Sequence, residues 1–193
     1  PRLHNRPVIV LSNNDGCVIA RSNQVKALGI PMGIAFFKVK QICKKYNVAI
    51  FSSNYQLYAD ISERIMHSLR NFFTDSEIEV YSIDEAFVRL DDYARNIDLE
   101  EYLRDVSKKI YKWFSIPISI GLAPTKTLAK MANAIAKKQE SNNFYSLLDF
   151  RQRQSILKEF AIEDIWGIGS KFASKLSNVG INNALELSRF DPN

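Results

Sequence analysis

The stretch Ile78-Glu-Val-Tyr-Ser-Ile-Asp-Glu-Ala-Phe-Val-Arg-Leu90 decides the fold class of this chain. Residues 78–81 and 86–90 alternate in polarity with a period of two, the pattern of a half-buried strand. Only Ser82 to Glu85 separate them, which predicts a hairpin. Asp84 and Glu85 stand side by side at its corner. Adjacent carboxylates repel each other, and a hard divalent cation offsets that repulsion. A solvated acidic turn is the plainer alternative. The apolar residues on both sides place the pair at the edge of a core.

Toward the N-terminus, Pro7–Leu11 reads as a short buried strand, Asn13-Asn14-Asp15-Gly16 as a turn and Cys17–Ala20 as the returning strand. Ser22 can cap a short helix that runs to Leu28 and ends at Gly29. Phe36–Tyr46 reads as a basic helix. Leu57, Ile61, Ile65, Leu69 and Phe72 recur at helical spacing, so Tyr55–Phe73 reads as an amphipathic helix. Toward the C-terminus follow a helix over 99–114, a strand at Ile118–Ile120 and a helix over Thr125–Lys138. Beyond a polar stretch at Gln139–Asn143 comes a short helical region with Ile156 and Leu157, then Trp166-Gly-Ile-Gly169 and a further helix. Hairpins outnumber crossovers, which predicts an α+β fold with helices on one face of a mainly antiparallel sheet.

Charge is unevenly spread. Residues 1–54 carry a net +7, residues 55–103 a net −8, and residues 104–120 and 121–193 a net +3 each. Basic stretches around an acidic one suit a protein that holds a polyanion around a cation, although acids and bases also pair on ordinary surfaces. Lys126, Lys130 and Lys137 share one helix face that can meet phosphates or simply face water. The Gly167-Ile-Gly169 turn opens a helix and lets backbone amides approach a phosphate, as in helix-hairpin-helix units; a plain helical corner is the alternative. Arg21 and Lys26, on the segment around Asn23, could meet a triphosphate.

Other chemistries are disfavoured. Cys17 and Cys43 are the only cysteines and read as reduced core residues. His4 and His67 have no partner at zinc-binding spacing. No apolar run approaches the ~18 residues of a membrane span, so no membrane is expected as a partner.

Taken in order, Leu11-Ser-Asn-Asn-Asp-Gly-Cys-Val-Ile-Ala-Arg21, Phe51-Ser-Ser-Asn-Tyr55, Tyr81-Ser-Ile-Asp-Glu-Ala-Phe87, Gly121–Lys130 and Trp166-Gly-Ile-Gly169 resemble the UmuC branch of the Y-family DNA polymerases. The resemblance implies a palm over residues 1–11 and 55–142, inserted fingers over 12–54, and a partial thumb with a helix-hairpin-helix over 143–193. It implies dNTP addition to a primer opposite damaged template with two Mg²⁺ ions. Asp84 and Glu85 would be the metal-binding and catalytic acids. Lys26 and Lys137 would contact the nucleotide, with Arg21 nearby and Asn23 in place of a tyrosine common in the family. Lys126, Lys130, Gly167, Gly169 and Lys171 would meet DNA. The implied partners are a damaged primer-template, a UmuD-type subunit, a recombinase filament and a sliding clamp, in a bacterial cytoplasm under the SOS response.

One departure stands out. The family's opening strand carries an aspartate that bridges both metals and is followed by an aromatic residue that excludes ribonucleotides; the sequence is expected to begin after that motif, at Pro1-Arg2-Leu3. The expectation is a truncated, aggregation-prone chain with little or no polymerisation on its own. A non-catalytic DNA-binding module is the alternative, and a basic scaffold for a protein partner is a third.

Overall fold

The computed structural model describes residues 3, 5–12, 14–93, 97–139 and 143–191. His4, Asn13 of the expected turn and residues 140–142 of the expected polar stretch lie outside them. The chain forms two compact units, Pro1–Ser62 and Glu63–Asn193.

In the first unit, β1 (Val8–Leu11) pairs antiparallel with β2 (Val18–Arg21), and the register shifts between Val10 and Leu11. The expected hairpin is therefore present. Ser22 precedes helix α1 (Asn23–Ala27), but its hydroxyl does not cap the helix. It accepts the Val8 amide at 3.1 Å instead, which ties α1 to β1. Gly29 follows with φ +74°, a left-handed conformation that suits glycine. Helix α2 (Phe36–Lys45) buries Val39 and Cys43 against Ile9, Leu11, Val18 and Val25. Burial pushes the Cys43 thiol pKa up, as fits a core residue, whereas Cys17 is exposed and is not the core residue expected.

Strand β3 (Ala49–Ser52) was not expected. It lies parallel to β1, with Val8 opposite Ala49, and completes the order β2-β1-β3. Only Ala49 of its four residues is half-buried, the others being exposed, so no period-two signal announces it. Helix α3 (Tyr55–Ser68) then continues as a tight 3₁₀ turn over Leu69–Asn71, so the expected single helix to Phe73 changes character in its last turn.

In the second unit, β4 (Ile78–Ser82) and β5 (Glu85–Val88) pair antiparallel as expected, with Ile78 opposite Val88 and Ser82 opposite Glu85. Pairing runs closer to the corner than the pattern indicates. Ile83 and Asp84 alone form the turn, and Glu85 belongs to a strand. Helix α4 (Leu99–Phe114) has the expected bounds because Asp98 caps it, accepting the Glu100 and Glu101 amides at 2.9 and 3.1 Å. Leu103, Val106 and Ile110 face a core that includes Leu69, Phe73 and Leu122.

Strand β6 (Ile120–Leu122) starts two residues later than expected and pairs parallel with β7 (Phe144–Ser146), which the polar context had concealed. Helix α5 (Lys126–Lys138) is capped by the Thr125 hydroxyl, which accepts the Leu128 amide at 3.3 Å. It packs on β6 so closely that a Cβ at Gly121 would lie 2.2 Å from the Ala129 carbonyl oxygen and 2.3 Å from the Asn133 amide nitrogen. Helices α6 (Phe150–Glu159), α7 (Ser170–Asn178) and α8 (Ala184–Arg189) close a core of Met131, Ala132, Leu147, Leu157 and Ile162.

The α+β class is as expected. Strand pairing is more evenly divided than a mainly antiparallel sheet: β1–β2 and β4–β5 are antiparallel, β1–β3 and β6–β7 parallel. The two parallel pairs are the ones whose partner strand lacked a sequence signal. Among the described residues, no helix is long and apolar enough to cross a membrane.

Candidate metal and nucleotide site

The β4–β5 corner places one of its two acids in the turn and the other in a strand. Asp84 occupies the exposed turn, where its Oδ1 accepts a hydrogen bond from the Ser82 hydroxyl at 2.9 Å. Glu85, one residue on, is in the ladder and turned to α5. Lys130 Nζ donates to both of its carboxylate oxygens, at 2.7 and 2.8 Å. The two side chains are only 22% and 26% exposed, so this pair is screened far less than a surface one. Lys126, one turn earlier on α5, pairs with Glu79 of β4.

Aromatic rings fill the space around these pairs. The Lys130 ammonium lies 5.6 Å from the Tyr81 ring centroid and 6.0 Å from that of Trp166. Lys126 lies 5.3 Å from the Phe87 centroid. Tyr81 and Trp166 meet edge to face at 5.3 Å, and the Trp166 indole N–H donates to the Tyr81 hydroxyl at 3.2 Å. The rings' negative faces favour the two cations and hold them against the strand acids.

The structure thus brings Glu85 together with Lys130, and Lys126 together with Glu79. Lys137 shares their helix face but stands in the last turn, exposed and about 10 Å farther along the axis. Glu79 and the Tyr81–Phe87–Trp166 cluster were missed. Tyr81 and Phe87 flank the acidic motif and could have been flagged as alternating with it. Trp166 lies 85 residues from Tyr81, and nothing in its local sequence signals that contact.

In the first unit, the Arg21 guanidinium donates to the Ile30 carbonyl, and its Nε is buried without a hydrogen-bond partner among the described residues. Lys26 and Asn23 are exposed and bonded to each other at 3.1 Å. At the tail, Gly167 has φ +89°, Gly169 caps α7, and Lys171 is exposed just inside that helix.

Among the described residues no group of three or more His, Cys, Asp or Glu side chains could hold a metal ion. Mg²⁺ commonly needs only one or two protein carboxylates, with waters and substrate phosphates supplying the rest. The hard oxygens of Asp84 and Glu85 fit that requirement by donor type.

Residues 1–134 match the impB/mucB/samB family. The chain belongs to that family. It is 42% identical to the UmuC protein of Salmonella typhimurium, across 97% of this chain and 44% of that protein. It is 36% identical to the MucB protein of Escherichia coli, across 99% of this chain and 45% of MucB. The chain therefore spans about half the length of the curated relatives it matches. Among solved structures it resembles the insertion ternary complex of Dbh DNA polymerase, with a TM-score of 0.81 at 26% identity, covering 95% of this chain and 53% of that one. DinB from Sulfolobus solfataricus gives a TM-score of 0.80 at 27% identity, covering 99% of this chain and 55% of that one. The expected resemblance to the UmuC branch holds, and the solved structures it resembles are those of DNA polymerases.

Proposed function

We propose that this chain supplies the acidic hairpin and basic surfaces of a translesion DNA polymerase that adds deoxynucleotides to a primer opposite damaged template. The single observation that carries this reading is the Asp84–Glu85 corner, set beside the lysine face of α5 in a chain of polymerase kin. Residues 1–11 and 55–142 act as palm, 12–54 as fingers and 143–193 as the first part of the thumb.

Asp84 and Glu85 are the residues that would hold Mg²⁺. When bound, the cation would acidify the primer hydroxyl and neutralise the charge that builds on the leaving pyrophosphate. Lys130 holds the Glu85 carboxylate in place through hydrogen bonds to both of its oxygens. Lys137 and Lys26 bind nucleotide phosphates, with Asn23 orienting Lys26 and Arg21 bracing the loop that carries them. Lys126, Gly167, Gly169 and Lys171 hold the DNA backbone without reading its sequence. A UmuD-type subunit, a recombinase filament and a sliding clamp are the partners this kinship suggests, in the bacterial cytoplasm.

Binding of a fluorescent dNTP to this chain, titrated with and without Mg²⁺, tests the site directly. Affinity should rise with Mg²⁺ and should lose that dependence in Glu85→Ala and Asp84→Ala. In primer extension by the protein that carries these residues, each substitution should lower the rate by about 100-fold or more. Metal-independent, salt-sensitive DNA binding with no dNTP affinity would replace this reading with that of a non-catalytic DNA-binding module.

A further inference from the structure

Helix α2 carries a surface that the acidic hairpin does not use. Its buried side is Val39 and Cys43, at 3% and 2% exposure. At 3.6 residues per turn, Phe37, Lys40, Gln41 and Lys44 fall together on the opposite face, with Lys38 and Lys45 along its border. Phe37 is 73% exposed, more than any other large apolar side chain described in the molecule. The helix contains no acid, and residues 1–54 contain only one, Asp15. Among the described residues no carboxylate lies within ion-pair distance of Lys38, Lys40, Lys44 or Lys45.

We infer that this face of α2 is a stacking platform for single-stranded nucleic acid, with Phe37 under a base and Lys40 and Lys44 on the flanking phosphates. Uncompensated lysines one turn apart attract a polyanion, which by itself suits DNA, RNA or an acidic protein. The exposed ring selects among them. A base offers a flat π-face to an aromatic side chain, and unpaired bases are free to present it, whereas duplex bases are stacked away. Lys38 lies 5.9 Å from the Phe37 centroid and Lys45 lies 5.3 Å from that of Tyr46, so cations and rings are interleaved along the helix. Such interleaving favours strand binding without sequence preference. The inference stands independently of the polymerase reading, because it requires neither Asp84 nor a metal.

The test is fluorescence anisotropy of the whole chain with a labelled oligo-dT, in EDTA, with polyglutamate as competitor. Phe37→Ala should weaken binding about ten-fold, and Phe37→Tyr should restore it, because the tyrosine ring still stacks. Lys40→Gln and Lys44→Gln should each lower the slope of log affinity against log salt by about 0.7. The ring is exposed, so the melting temperature of Phe37→Ala should match that of the original chain. Unchanged affinity in Phe37→Ala, or a Phe37→Tyr variant as weak as the alanine one, would overturn the proposal. So would polyglutamate competing as well as unlabelled oligo-dT, which would point to an acidic protein. Binding that vanishes in EDTA would also overturn it, whereas loss of dNTP binding alone would count only against the polymerase reading.

Discussion

Helices α2 and α5 look alike in sequence and differ in what their lysines meet. Both are basic, both follow a loop, and both bury one side on a sheet. On α5, Lys126 and Lys130 are each committed to a glutamate on β4 or β5 and to an aromatic ring. On α2, the lysines find rings of their own helix and no acid among the described residues. A row of lysines is therefore not one signal. Where acids answer the lysines, the row fixes those acids in place; where none does, it stays available to a ligand. The acidic stretch of residues 55–103 makes the difference, since it supplies Glu79 and Glu85 to α5.

The contrast can be broken most severely at Gly121. A methyl group there would overlap the Ala129 carbonyl and the Asn133 amide, both backbone atoms of α5. Neither can move without shifting the helix from its strand. Gly121→Ala should cost about 3 kcal/mol or more, read by urea denaturation, and should remove Lys126 and Lys130 from their partners. Wild-type stability in this variant would mean that α5 is not seated as described.

A smaller effect should separate the two lysine rows. Lys130→Ala leaves Glu85 without its partner in a site about three-quarters buried. The expected loss is about 1–2 kcal/mol after allowance for the remaining solvent screening. A double-mutant cycle with Glu85→Ala should recover most of it as coupling. Lys44→Ala on α2 breaks no ion pair among the described residues and should stay within about 0.5 kcal/mol of the original chain. Equal losses at the two positions would erase the distinction.

What the sequence disclosed follows the same division between local and distant causes. Helix α4 was legible in its approximate span, and the Asp98 cap that fixes its start is a local feature. The β4–β5 hairpin was legible because alternation and a short connection are local too. Strands β3 and β7 were not. Each is short, each pairs in parallel with a strand far away in the chain, and parallel pairing leaves no turn to announce it. At the site, Asp84 and Glu85 could be named from adjacency, but not that Glu85 lies in the strand and meets Lys130. That depends on Ser82 pairing with Glu85, which draws the second acid into the ladder. Trp166 was read for its neighbouring glycines, and its role as the third ring beside Lys130 is set wholly by tertiary packing.

The mildest way to sharpen the comparison is acid. The Thr74 backbone N–H donates to Glu77 at 2.8 Å and holds its carboxyl below the ordinary value of 4.5, with the Tyr93 hydroxyl helping at 3.2 Å. The Asn182 N–H does the same for Glu186 at 2.6 Å. Both groups bind protons more weakly folded than unfolded. Their contribution is therefore complete above the ordinary glutamate range and fades as pH falls through the lower folded values. Both belong to the second unit. Hydrogen exchange at mildly acid pH should loosen amides around Thr74 and Asn182 while β1 and α2 keep their protection. Glu77→Gln should flatten the response around Thr74 alone. Equal acid sensitivity in both units would show that pH acts through something other than these two carboxylates.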